Sequence, residues 1–138
     1  MDAPKPAGNS RPWEHVQDWF SSVDETDVYL SAGTIMEKRV GIEKVKAHNP
    51  QKAAAIEAKL NQTLSLFATR VLPVTMDVAD QWGKYSYEHG SQNNMDHLIA
   101  ANAKVAGFSV VTRNVRDFQD HGVRIIDPFK SPAKIHEP

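Results

Sequence analysis

The sequence predicts an α/β domain of three layers, with a short parallel sheet held between helices. Three observations predict it. Brief runs of Val, Leu and Ile alternate with longer segments whose apolar residues recur at helical spacing. The 138 residues suffice for one hydrophobic core, and neither an internal repeat nor a linker divides them. Finally, Asp96-His97-Leu98-Ile99-Ala100-Ala101-Asn102-Ala103 reads as an apolar helix opened by an acid and ended by Gly107. It is followed by a Val-rich strand and a polar turn, Val110-Val111-Thr112-Arg113-Asn114-Val115-Arg116-Asp117-Phe118. That order brings two acidic positions to one end of a strand–helix layer, where α/β proteins usually build their sites.

Residues 1–11 are rich in Pro and small polar types and read as a loop. Pro12 suits a first helical position, and Val16, Trp19 and Phe20 supply an apolar stripe to about residue 22. Val28-Tyr29-Leu30 is a strand candidate. A helix is expected from Thr34 to about Lys46, with Gly41 its one weak point, and Asn49-Pro50 breaks it. The next helix, from Pro50 to Thr69, is the clearest, with Ala53, Ile56, Leu60, Leu64 and Phe67 at helical spacing. Val71-Leu72-Pro73-Val74 is a brief strand. Thr75 caps a helix from Met76 to about His89, in which Val78, Ala79, Trp82 and Tyr85 share a face. A turn through Gly90 to Asn93 follows, and Asn94 is expected to cap the helix that carries Asp96. Ser109 to Thr112 is the next strand, Val123 to Ile126 is expected to be the last, and residues 130–138 to be a frayed, flexible tail.

The composition, 41% apolar and 24% charged, is that of a globular protein, and the formal net charge of −1 advertises no overall field for nucleic acid. A polyanion would need a local patch. The absence of cysteine excludes disulfides, thiolate zinc sites and cysteine nucleophiles. No apolar run approaches membrane-spanning length and no signal peptide opens the chain, so the expected location is the cytoplasm, with no membrane partner. The six histidines show no ligand spacing, and Trp13, Trp19 and Trp82 read as core or interface aromatics. There is no Gly-rich phosphate loop and no Gly-X-Ser-X-Gly elbow.

Each acid has an ordinary explanation when taken alone. Glu37 could be a solvated helix residue beside Lys38 and Arg39, Asp96 a favourable charge on a helix dipole, and Asp117 a turn residue with Asn114. Together they suit another chemistry. Phosphodiester hydrolysis needs charge neutralised on the phosphoryl oxygens and a water made nucleophilic, and carboxylate-held Mg²⁺ or Mn²⁺ does both without His or Cys ligands.

These blocks, with Ser31-Ala32-Gly33-Thr34-Ile35-Met36-Glu37-Lys38-Arg39-Val40-Gly41-Ile42, resemble the PIN-domain ribonucleases, particularly the VapC/FitB-type toxins of bacterial toxin–antitoxin pairs. The likeness covers about residues 12–129 and implies a three-layer α/β/α PIN-like domain over residues 1–138. It implies a Mg²⁺- or Mn²⁺-dependent endoribonuclease with Glu37, Asp96 and Asp117 as catalytic metal ligands and Asn114 as an auxiliary ligand. Thr112, Arg113, Arg116 and Arg39 are implied to contact RNA, for which the ordinary alternatives are a strand threonine and surface ion pairs. A cognate antitoxin, an RNA substrate and a homodimer through Trp19, Phe20 and the helix ending near Lys46 are the implied partners.

Two departures from the family pattern bear on activity. Asn114 stands where many relatives carry Asp, leaving Asp117 as the acid of that turn. The opening strand with its Asp-Thr-Asn turn has no counterpart, since Asp2 lies in a proline-rich segment with no strand before it. That strand lies mid-sheet in the family, so its absence would leave two neighbours with bare edges. The expectation is that Met1 is an internal methionine of a longer natural protein, against a true truncation that weakens metal binding. The alternative function is a catalytically weak or inert PIN-like module that binds antitoxin or RNA. DNA binding by this chain itself is disfavoured, because it has no basic recognition helix.

Overall fold

The computed structural model describes residues 11–138, with side chains from Glu14 onward. The loop expected for the start of the chain, with Asp2 in it, and the side chains of Pro12 and Trp13 lie outside the described residues. Helix α1 (Arg11–Ser22) begins one residue before Pro12; Val16 is buried and Trp19 half-buried, while Phe20 stays exposed. After a 3₁₀ turn at Glu25–Asp27 come β1 (Leu30–Ser31), α2 (Ala32–Lys46) and α3 (Pro50–Leu66). Strand β2 (Val71–Leu72) leads into α4 (Met76–His89) and α5 (Asn94–Ala106), then β3 (Val110–Val111), the single turn α6 (Val115–Phe118), β4 (Ile125–Asp127) and β5 (Lys134–His136).

The helix boundaries follow local chemistry. Thr75 accepts a hydrogen bond from Val78 N–H and Asn49 from Lys52 N–H, each satisfying a free donor of a first turn. α3 stops at Leu66, three residues short of the expected Thr69, because Phe67 leaves helical geometry. α5 ends at Gly107, whose φ of 73° lets its N–H reach the carbonyls of Ala103 and Lys104. The expected cap at Asn94 is corrected. Asn93, at φ 56°, is the capping position, and Asn94 is the first helical residue. Its side chain and carbonyl accept from Trp82 Nε1 at 3.1 and 3.0 Å instead.

The mixed α/β architecture with short parallel strands is as the sequence predicts, but the strands form two sheets. β1 pairs with β2 in parallel, and β3 pairs with β4 in parallel. Among the described residues, β1 and β3 each pair on one side only. Two further expectations are corrected. β4 is not the last strand, and the end of the chain is not simply frayed, since β5 adds antiparallel to β4 with Ile126 opposite Ile135. An antiparallel strand needs only a short reversal, here through a cis Ser131-Pro132 bond.

α5 holds the halves together. It touches both β1 and β3 and packs on α2, α4 and α6. Leu98, Ala100, Ala101 and Ala103 are buried on it, and the small size of the alanines lets neighbouring backbones approach. Val78 and Tyr85 of α4, Phe118, Val110, Val123 and Ile125 complete this core. On the other side Ser31 Oγ donates to Asn102 Oδ1 at 2.6 Å, and Asn102 Nδ2 donates to the Pro73 carbonyl at 3.0 Å. One buried amide thereby ties β1, α5 and the segment after β2. Gly33 lets α2 approach α5 closely, since a Cβ there would sit a tight 3.3 Å from Leu98, Ile99 and Ser31 Oγ.

Candidate active site

The contacts between α2 and α5, and between α5 and α6, position the three acids. Ser31 caps α2 by accepting from Gly33 N–H at 3.0 Å while bonded to Asn102, so the start of α2 is fixed against α5. Glu37 follows on the exposed part of α2, and Asp96 occupies the first turn of α5. α6, packed on α5, carries Asp117.

These side chains act on one another. The Asp96 carboxyl titrates above its ordinary range, chiefly because it is partly buried and then because the Glu37 and Asp117 carboxylates repel its charge; His97 pulls the other way. Such a set of hard oxygen donors, with mutual repulsion that a divalent cation would relieve, fits Mg²⁺ or Mn²⁺ in donor chemistry. Among the described residues, no three His, Cys, Asp or Glu side chains converge to chelating distance.

Asp117 also borders an open groove of ≈ 620 Å³ lined by Asn114, Arg113 and Arg116, and by Lys130, Lys134 and His136 from the end of the chain. Asn114 sits at the start of α6 without using its side chain as a cap, and its N–H donates to Thr112 Oγ1 at 3.0 Å. Thr112 thus shapes the turn that presents Asn114. The Arg113 guanidinium lies 4.8 Å from the centre of the Phe129 ring, a cation–π contact that orients it.

Arg39 is placed differently. Its guanidinium is bonded to Glu57 of α3 and sits 3.5 Å from Glu43, and it does not line the groove. The surface ion pair weighed against an RNA contact is what the geometry contains.

Sequence reasoning missed two groups. Lys130, Lys134 and His136 fell in the segment read as a tail. The alternation Lys134-Ile135-His136 was a strand signal, too short to stand alone. The second group is the buried pair His97 and His121, the first of them next to Asp96 in sequence, with the exposed His89 beside them. His97 Nε2 meets the Gly90 carbonyl at 2.9 Å, and His121 Nδ1 meets the Gln119 carbonyl at 2.8 Å. The His89 ring stacks on His121 with centroids 4.1 Å apart. The contacts that bring His121 to His89 and His97 join residues far apart in the chain, so no local spacing announces them.

Comparison with known proteins adds a family to this geometry. The PIN domain family model matches residues 9–123. Toxin FitB of Neisseria gonorrhoeae is 35% identical over 124 residues, covering 86% of this chain and 88% of FitB. The VapC ribonuclease Y4jK of Sinorhizobium fredii is 28% identical over 126 residues, covering 88% of this chain and 89% of its own length. The crystal structure of FitAcB from Neisseria gonorrhoeae superposes with a TM-score of 0.71 at 34% identity, over 87% of this chain and 92% of that one. The structure of FitAB bound to an IR36 DNA fragment matches with a TM-score of 0.71 at 33% identity, over 88% of this chain and 90% of that one.

Proposed function

This chain belongs to the PIN-domain family, close to the FitB and VapC toxins, and on that footing we propose that it is a metal-dependent endoribonuclease acting as the toxin of a toxin–antitoxin pair. The observation that carries the reading is the electrostatic convergence of Glu37 and Asp117 on Asp96 beside a basic groove. Asp96, Glu37 and Asp117 would hold Mg²⁺ or Mn²⁺, with the Asn114 carbonyl as a neutral auxiliary. The bound ion supplies an activated water and neutralises charge on the scissile phosphate. The chain's own side chains do the rest. Arg113, oriented on Phe129, and Arg116 hold phosphate oxygens of the RNA, and the Thr112 hydroxyl fixes the turn that presents Asn114. Burial and the Glu37 and Asp117 charges disfavour the ionised Asp96 carboxyl, a cost that a bound cation would offset.

The likeness to FitAcB and FitAB supports an antitoxin partner for this chain, and FitAB is itself bound to a DNA fragment. A homodimer has a candidate face in exposed Phe20 of α1 and in Met36 and Val40, one helical turn apart on α2. No helix among the described residues is long and apolar enough to cross a membrane. The second reading, an inert module that binds antitoxin or RNA, is favoured by the lack of chelating convergence among the described residues and by the neutral Asn114. Cleavage of single-stranded RNA with and without Mg²⁺, by this chain and by Asp96→Asn, separates the two.

A further inference from the structure

We propose that the groove beside Asp117 is a track for the phosphate backbone of single-stranded RNA, with Lys130, Lys134 and His136 from the end of the chain forming its outer wall. The inference rests on the nuclease reading and extends it to residues outside the acid cluster.

The wall is a consequence of strand geometry. β5 pairs with β4 so that Asp127 faces Lys134 and Ile125 faces His136. Alternate residues of a strand project to one side, so Lys134 and His136 both line the groove. Ile135, between them, is 54% exposed and is not among the lining residues. Lys130 comes from the loop before β5, Arg113 from the turn before α6 and Arg116 from α6 itself.

The charge there is available. Among the described residues, Arg113, Arg116, Lys130 and Lys134 form no ion pair, whereas Arg39 and Arg124 are paired with glutamates. Asp127 also lines the groove, but it is buried and its Oδ1 accepts from Phe129 N–H at 2.9 Å. The groove therefore presents four full cations and an imidazole in the same lining as Asp117. The chain as a whole carries a net charge of −1, so this is the local basic patch that its composition demanded.

A flexible polyanion fits this surface better than an acidic peptide does. Val115 is the one apolar side chain in the lining, so a peptide would find almost nothing to anchor its own apolar residues.

The test uses a fluorescent single-stranded oligoribonucleotide bound to the full chain in EDTA, followed by anisotropy across a salt series. Lys130→Gln/Lys134→Gln is compared with wild type and with the charge-matched control Lys52→Gln/Lys84→Gln. The expected result is affinity about ten-fold weaker at ~0.1 M salt and a log–log salt slope shallower by about 1.4, since each lost single-strand phosphate contact removes about 0.7. The control should match wild type. Wild-type affinity and slope in the Lys130/Lys134 variant, while Mg²⁺-dependent cleavage persists, overturn the track and leave the nuclease reading standing. Absence of both RNA binding and cleavage in wild type overturns the nuclease reading and the track with it. Binding of poly-glutamate through these lysines without RNA binding overturns the track in favour of an acidic protein partner.

Discussion

His97 Nδ1 lies 3.0 Å from His121 Nε2 in the buried interior, and each ring directs its other nitrogen at a backbone carbonyl. Carbonyls only accept, so His97 Nε2 and His121 Nδ1 donate to them. Burial above all holds His121 below the ordinary histidine range, against the opposing hydrogen bond to the Gln119 carbonyl and with the charges of His89 and His97 adding to it.

The pH dependence of stability follows with a definite sign. Unfolded His121 takes up a proton near pH 6.5, whereas folded His121 resists it. The stability from this site is therefore fully present above about pH 6.5 and is lost as pH falls below it, by at most about 1.4 kcal/mol per pH unit. Urea unfolding at pH 8.0 and 5.5 should show the loss, and His121→Asn should flatten it. A midpoint rising toward pH 5.5 would show that the pair favours the extra proton instead.

Asn102 should be the most sensitive polar residue in the core. It is 2% exposed and serves Ser31 and the Pro73 carbonyl at once. Asn102→Ala removes both partners and leaves a cavity, at a cost of about 2–4 kcal/mol in urea unfolding. Asn102→Asp costs at least as much, because it sets a carboxylate against the Pro73 carbonyl. A loss under about 1 kcal/mol for Asn102→Ala would mean that β1 and α5 do not depend on this amide.

Arg113 should act through its shape as well as its charge. Its planar guanidinium rests on Phe129, and a lysine cannot reproduce that stacking. Arg113→Lys is expected to weaken binding of single-stranded RNA about three-fold and Arg113→Ala about ten-fold, with Phe129→Leu matching the lysine variant. Equal affinity of Arg113→Lys and wild type would show that the stacking contributes nothing to binding.

Much of this was legible in the chain because it is local. Thr75, Asn49 and Gly107 mark helix ends through bonds to residues three or four positions away, and the α3 and α5 patterns need only one helix each. The order Glu37, Asp96, Asp117 was readable because each acid sits at a fixed place on its own element. What escaped is non-local. The pairing of β5 with β4, the Arg39–Glu57 ion pair and the His97–His121 contact all depend on tertiary packing. Asn93 and Asn94 are chemically identical caps, and only the left-handed backbone at Asn93 decides between them.

The most direct measurement of the central claim is cleavage of a single-stranded RNA by this chain with Mg²⁺, in EDTA, and with Asp96→Asn. Thermal unfolding is followed in the same buffers. Cleavage with Mg²⁺ should vanish in EDTA and fall at least about 100-fold in Asp96→Asn, together with a Mg²⁺-dependent rise in Tm that the variant lacks. In metal-free buffer Asp96→Asn should melt higher than wild type. Burial and the repulsion of Glu37 and Asp117, which push the Asp96 pKa up, disfavour its charged form there. RNA bound but left intact by both proteins, with a Tm indifferent to Mg²⁺, would contradict the nuclease reading and identify the chain as an inert binding module.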